Sequence, residues 1–190
     1  MKKLIMVILF TLMIIGNRQA TACVGKTLYI GVSGSANEQL LAEMVSVLVS
    51  ERTGTTVKIL TYKDSREIYN AVKQGQVGLM IENTDHALLL MSKPKENNAK
   101  AAYEIVKKEY RKNLNLVWLE PFGSMPASQS SYAPVITAEV LGNLPALPKL
   151  INKLTGVLSD GSYAKLVKAV KDDEKPKKVA RDFLKARKLI

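Results

Sequence analysis

Hydrophobic positions along the chain follow two alternating periods. Short apolar, β-branched stretches at 26–32 (KTLYIGV), 56–61 (TVKILT) and 77–81 (VGLMI) have the length and composition of buried strands. Between them the apolar residues recur three and four apart, the period of a helix. In the first helix Leu40, Leu41, Met44, Val45, Leu48 and Val49 form one broad face, and Gly54 stands where a left-handed residue ends it. Ser35 and Glu38 have capping-box spacing, which Asp64 and Glu67 repeat; the second helix stops at Gly75.

Strand, helix, strand, helix, strand with short joints predicts a parallel sheet with right-handed crossovers. A polar connector (92–98) leads to a helix at 101–112 and a fourth strand at 116–119 (LVWL), in which Trp118 reads as core. Residues 121–134, rich in Pro, Ser and Gln, read as a loop, and 135–140 as a short apolar stretch. Helices are predicted at 147–154, at 159–170 with Ser159 as cap, and at 176–188 with Pro176 at its start and Val179, Phe183 and Leu184 as its buried stripe. The expected fold is a single α/β domain whose mainly parallel sheet of about four or five strands is flanked by helices.

In such sheets ligands gather at the carboxyl ends of the strands. That rule nominates the loops 33–37, 62–65 and 82–85, and with them Ser33, Ser35, Asn37, Tyr62, Asn83, Thr84 and Asp85. All but Asn37 have a second reading. Ser33 and Ser35 precede a helix N-terminus, which suits an anionic group such as a carboxylate or needs only a cap. Asn83, Thr84 and Asp85 are ligand contacts or the turn and N-cap of a short helix. Tyr62 is a ligand wall or a packing residue. His86, the lone histidine, reads as a surface or capping residue rather than a catalytic or metal-binding one.

The N-terminus has its own pattern. Met1-Lys2-Lys3 is basic, 4–15 is apolar, Asn17-Arg18-Gln19 is polar, and Ala20-Thr21-Ala22 is a small-x-small cleavage pattern. This predicts a signal peptide at 1–22, cleavage after Ala22, and export of 23–190 to the periplasm or cell envelope. The apolar run is shorter than the roughly 20 residues of a membrane span, which sets the uncleaved anchor behind the signal peptide. Cys23 directly follows the cleavage site and is a candidate for lipidation. The polar stretch before it, and Ala20 where such signals usually carry Leu, favour a soluble protein; both forms stay open.

Charge and composition narrow the chemistry. Lys+Arg number 28 against 17 Asp+Glu, a net +11. Loss of Lys2, Lys3 and Arg18 with the signal peptide leaves +8. Much of the excess lies in 165–188, interleaved with Asp172, Asp173, Glu174 and Asp182, and reads as a solvated helix face. With Phe183 its only aromatic, that segment does not predict a nucleic-acid partner. One Cys excludes an internal disulfide framework and a multi-Cys metal site, and one His excludes a His-rich one. Glu38 and Glu43 lack a paired acid or nucleophile at catalytic spacing. With no Ser/His/Asp or Cys/His constellation and no phosphate loop, no catalytic residue, metal or cofactor is expected, and the chain does not read as an enzyme.

Four segments in order resemble the substrate-binding proteins of ABC-type glycine betaine and related quaternary-ammonium transporters. The segment 30–54 (IGV…NEQLLAEMVSVLVSERTG) carries Glu38, Gln39, Leu41, Ala42, Glu43 and Met44, which fit the family's "EQ-x-x-L-A-E-M" helix. The segment 69–84 (YNAVKQGQVGLMIENT) resembles "A-L-x-x-G-x-I-D-L-x-x-E-Y-T", 116–123 (LVWLEPFG) is similar to "L-x-W-L-x-P-L-G", and 144–190 looks like the closing helices. The resemblance implies a type II periplasmic-binding-protein-like fold reduced to a single lobe, with most of the second lobe missing and a vestige around 122–143. It implies a solute-binding component of an ABC importer for glycine betaine or a similar osmoprotectant, with the transporter's membrane subunit as partner. A homodimer, with a second copy in place of the absent lobe, is compatible with that shortening. The alternative is an exported interaction module that kept the lobe and lost the ligand. The family's aromatic in "E-Y-T" is Asn83 here. Tyr132, in SSYAP, resembles the Tyr of its "N-x-x-Y-A" segment; with Tyr62 it is the remaining aromatic candidate for a quaternary ammonium.

Overall fold

The computed structural model describes residues 27–124, 130–159 and 161–190. The predicted signal peptide and Cys23 lie outside the described residues, as does part of the loop expected at 121–134.

The strands are β1 (Thr27–Val32), β2 (Thr56–Thr61), β3 (Leu79–Asn83), β4 (Leu116–Trp118), β5 (Gly123–Ser124) and β6 (Ser131–Thr137). The helices are α1 (Ala36–Thr53), α2 (Ser65–Lys73), α3 (Thr84–Leu90), α4 (Ala99–Leu114), α5 (Ala138–Asn143), α6 (Leu147–Ile151), α7 (Tyr163–Lys171) and α8 (Pro176–Ala186). They build one α/β lobe around a single sheet in the order β2-β1-β3-β6-β4, with β5 on the end of β6. β1 pairs in parallel with both β2 and β3. β6 is antiparallel to β3, β4 and β5. The sheet is thus mixed, with β6 as the reversed strand.

β6 is where the structure departs most from the predicted pattern. Residues 131–134 extend a strand that the sequence placed in a loop, and 138–140 turn into a helix. The strand includes Pro134, and proline lacks the N–H of a ladder bond. Its carbonyl accepts from the Leu119 N–H at 2.9 Å, so the missing N–H falls on the β4 side, one residue past the end of β4. Pairing of β6 with β3 is left intact. The region 122–143, expected as the vestige of a second lobe, contributes β5, β6 and α5 to this same lobe.

Two apolar layers cover the sheet. Leu28, Ile30 and Val32 of β1 and Leu79 and Ile81 of β3 face a cluster built with α1, α6 and α8. Met80 faces the other, built with α2, α3, α4 and β4. α1 is buried on more of its circumference than the single predicted face: Ala42, Ser46 and Val47 are buried as well. A helix apolar nearly all round must be covered on both sides, and α6, α7 and α8 supply the second cover. Gly54 ends α1 with φ +71°, a conformation glycine adopts without a Cβ penalty. The segment predicted as a helix from 159 begins instead at Tyr163, after a short 3-10 turn at Val157–Ser159.

Candidate functional site

The carboxyl ends of β1 and β3, the start of β6 and the starts of α1, α3 and α7 meet at one place. The first helix start is a modified capping box. The Ser35 hydroxyl accepts from the Glu38 N–H at 3.2 Å, but the Glu38 carboxylate reaches past Ser35 to accept from the Ser33 N–H at 2.7 Å. The Ser33 hydroxyl takes the Ser35 N–H in a longer contact of 3.4 Å. Ser33 and Ser35 are therefore engaged in shaping the loop. Asn37, one residue before Glu38, accepts from the Tyr163 hydroxyl at 3.3 Å.

The second helix start is built on Asn83. Its side-chain oxygen accepts from the N–H groups of Asp85 and His86 at 2.9 and 3.3 Å, the capping role weighed for it above. Thr84 is fully buried, and its hydroxyl accepts from the Ser131 N–H at 2.9 Å, which ties α3 to the start of β6. Asp85 turns away to an ion pair with Lys95 at 3.3 Å.

Tyr132 stands directly opposite Asn83 in the β3–β6 register. It is half-buried. Burial raises its phenol pKa, with further upward pressure from the charges of Glu38 and Glu82 and a smaller lowering by the Asn83 side chain. The Tyr163 phenol, also raised by burial, feels Tyr132 as its neighbour. Tyr132 thus lies in a locally negative field on a protein that is basic overall.

Beneath them Glu82 is a buried carboxylate, 5% exposed. One oxygen accepts from the Tyr69 hydroxyl at 2.9 Å, with Tyr110 alongside at 3.5 Å. The Tyr69 and Tyr110 hydroxyls are also hydrogen-bonded to each other. The other oxygen accepts from the Asn83 N–H at 2.8 Å and meets His86 Nδ1 at 3.0 Å. His86 is raised above its usual pKa, first by that bond and less by the charges of Glu82 and Glu38, against the opposing effect of burial. A buried carboxylate satisfied by four groups is held rigidly, so the end of β3 is a fixed platform.

Of the predicted contacts, Asn37, Asn83 and Tyr132 come together. Tyr62 packs against the α2, α3 and α4 cluster, whereas Tyr132 packs against the α1 cluster, so the two belong to opposite faces of the sheet. Glu38, Glu82, His86 and Tyr163 belong to the site without having been chosen as ligand contacts. The capping-box spacing was a signal for Glu38; Tyr163, which joins Asn37 across 126 residues, had none. A groove of about 640 Å³ opens at the other, amino-terminal end of the sheet, lined by Tyr29, Lys73, Gly78, Glu139 and Val140 among others. None of Asn37, Asn83, Tyr132 or Tyr163 lines it. Among the described residues no group of three or more His, Cys, Asp or Glu is placed to hold a metal ion, and no helix is long and apolar enough to cross a membrane.

The sequence matches the family described as the substrate binding domain of ABC-type glycine betaine transport system over residues 26–127 and, in an overlapping second match, 112–186. The chain belongs to this family. It is a family of solute-binding proteins, not of enzymes. The fold is similar to the crystal structure of a glycine betaine/carnitine/choline ABC transporter protein, with a TM-score of 0.76 and 13% identity over 85% of this chain and 99% of that one. It is similar also to apo YehZ from Escherichia coli, with a TM-score of 0.72 and 12% identity over 87% of this chain and 100% of that one. At these identities the likeness is one of fold. No curated protein matches the sequence.

Proposed function

We propose that this member of the glycine betaine substrate-binding family is the exported solute-binding component of an ABC importer and takes a quaternary-ammonium osmoprotectant such as glycine betaine. The observation that supports this most is the setting of Tyr132: a half-buried ring beside Tyr163, in the field of Glu38 and Glu82, at the strand ends where ligands collect. A quaternary ammonium has no N–H to donate. It is held by aromatic faces and by negative potential, and this corner offers both. The protein then delivers its solute to the transporter's membrane subunit.

A second reading, an exported interaction module that has lost its ligand, draws support from Asn83. This residue stands where the family carries an aromatic, and its side chain is committed to the α3 cap. Calorimetry of the protein with glycine betaine and choline separates the two. A single lobe leaves much of the ligand in water, so the expected affinity is about millimolar, roughly −4 kcal/mol. Heat of binding that weakens in Tyr132→Ala supports the importer reading. No heat from the folded wild type at any concentration favours the interaction module.

A further inference from the structure

We propose that the outer surface of α7 and α8 docks on an anionic phospholipid surface. Residues 161–190 hold ten of the 28 Lys and Arg residues but four of the 17 Asp and Glu residues. This short C-terminal stretch therefore carries +6 of the chain's +11. The structure turns these charges outward. Lys165, Lys168 and Lys171 are exposed at intervals of three along α7, and Lys185 and Lys188 are exposed at the end of α8. None of the five has a carboxylate partner within ion-pair distance among the described residues. Of the segment's four acids, Glu174 and Asp182 both bind Lys178, at 3.5 and 3.4 Å, and Asp172 and Asp173 follow Lys171 at the end of α7.

The type of cation selects the partner. Protein interfaces favour arginine and exposed aromatic anchors and are poor in lysine. Here both arginines are already occupied, Arg181 by Glu51 at 2.9 Å and Arg187 over the Phe183 ring at 5.2 Å. Tyr163 and Phe183 are buried, so no aromatic platform is offered to a nucleobase. What remains is a set of flexible, strongly hydrated point charges, suited to a diffuse negative surface rather than to fixed bidentate partners. On its opposite side α7 packs half-buried Leu166, Val167 and Val170 against the core, so its lysines meet the lipid surface through charge alone. The surface is distinct from the Tyr132 site, and the proposal stands whether or not a solute is bound.

The test is co-sedimentation of the protein, recovered from expressing cells, with phosphatidylglycerol/phosphatidylcholine vesicles and with phosphatidylcholine vesicles. Wild type and variants are first shown by intact mass to share one N-terminus. Binding is expected on the anionic vesicles beyond any on phosphatidylcholine, and it should weaken as salt rises. The triple variant Lys165→Gln/Lys168→Gln/Lys171→Gln should lose roughly 100-fold in partitioning at low salt. The control Lys100→Gln/Lys108→Gln/Lys112→Gln on α4 removes the same net charge from the other side of the sheet and should lose far less. Unfolding by urea confirms that each variant is folded. Equal binding to both vesicle types, equal losses in the two triple variants, or tighter binding to duplex DNA than to anionic vesicles would each overturn the proposal.

Discussion

The hydroxyl of Tyr103 donates to the carbonyl oxygen of Leu119 at 3.0 Å. Leu119 faces Pro134 across the sheet as a ladder pair of which only one bond exists, from the Leu119 N–H to the Pro134 carbonyl. Proline cannot return the second, and the α4 tyrosine supplies it. Tyr103→Phe should therefore leave a buried carbonyl without a donor and cost about 1–3 kcal/mol. In Pro134→Ala a backbone N–H is available again, so the double variant should lose less than the sum of the single ones. Urea unfolding of the four proteins measures this coupling; strict additivity would mean that the two residues act independently.

Asn83 carries the cap of α3. Asn83→Ala should destabilise the protein by about 1 kcal/mol, and Asn83→Asp by much less, because the carboxylate can still accept from the Asp85 and His86 N–H groups. Asn83→Tyr should lose the cap as Ala does while adding an aromatic wall. We expect lower stability with tighter betaine binding, read separately by urea unfolding and calorimetry.

The ring of Tyr132, rather than its hydroxyl, should hold a quaternary ammonium. Tyr132→Phe is expected to keep most of the affinity for glycine betaine. Tyr132→Ala should lose a cation–π contact of about 0.5–2 kcal/mol, roughly 2- to 30-fold. Equal losses in the two variants by calorimetry would move the determinant to the Tyr132 hydroxyl.

The His86–Glu82 contact predicts a pH dependence of stability. The folded-state pKa of His86 is raised, so folding is favoured by its protonation. That contribution is complete below the unfolded value of about 6.5 and is lost as pH rises through the higher folded value. The His86 side chain is 39% exposed, which screens the contact and keeps the effect under about 1 kcal/mol. Urea midpoints for wild type should fall between mildly acidic and mildly alkaline pH, and His86→Gln should flatten that fall.

Gly78 is held by a close approach. A Cβ there would lie 2.5 Å from Val140 Cγ2. Gly78→Ala should cost about 1–3 kcal/mol through overpacking, and Val140→Ala should recover part of it. No recovery in the thermal midpoint of the double variant would place the strain in the backbone entering β3.

Sequence alone determined the elements whose causes are local. The parallel β2-β1-β3 half follows from three apolar stretches, two capping motifs and Gly54, each acting within a few residues of itself. The family was legible too, in ordered motifs along the chain. β6 was not, because Pro134 is acceptable as a strand residue only where β4 has ended, and that is a property of the neighbouring strand. The burial of α1 was half legible: its apolar residues were plain, but the helices that cover its second side come from the last quarter of the chain. The site divides in the same way. Asn37 and Asn83 were found because strand ends and helix caps are read locally. That Thr84 binds Ser131, that Glu82 is buried under two tyrosines, and that Tyr163 joins Asn37 were decided by packing between segments far apart in the chain, where no sequence period records which polar groups must satisfy one another.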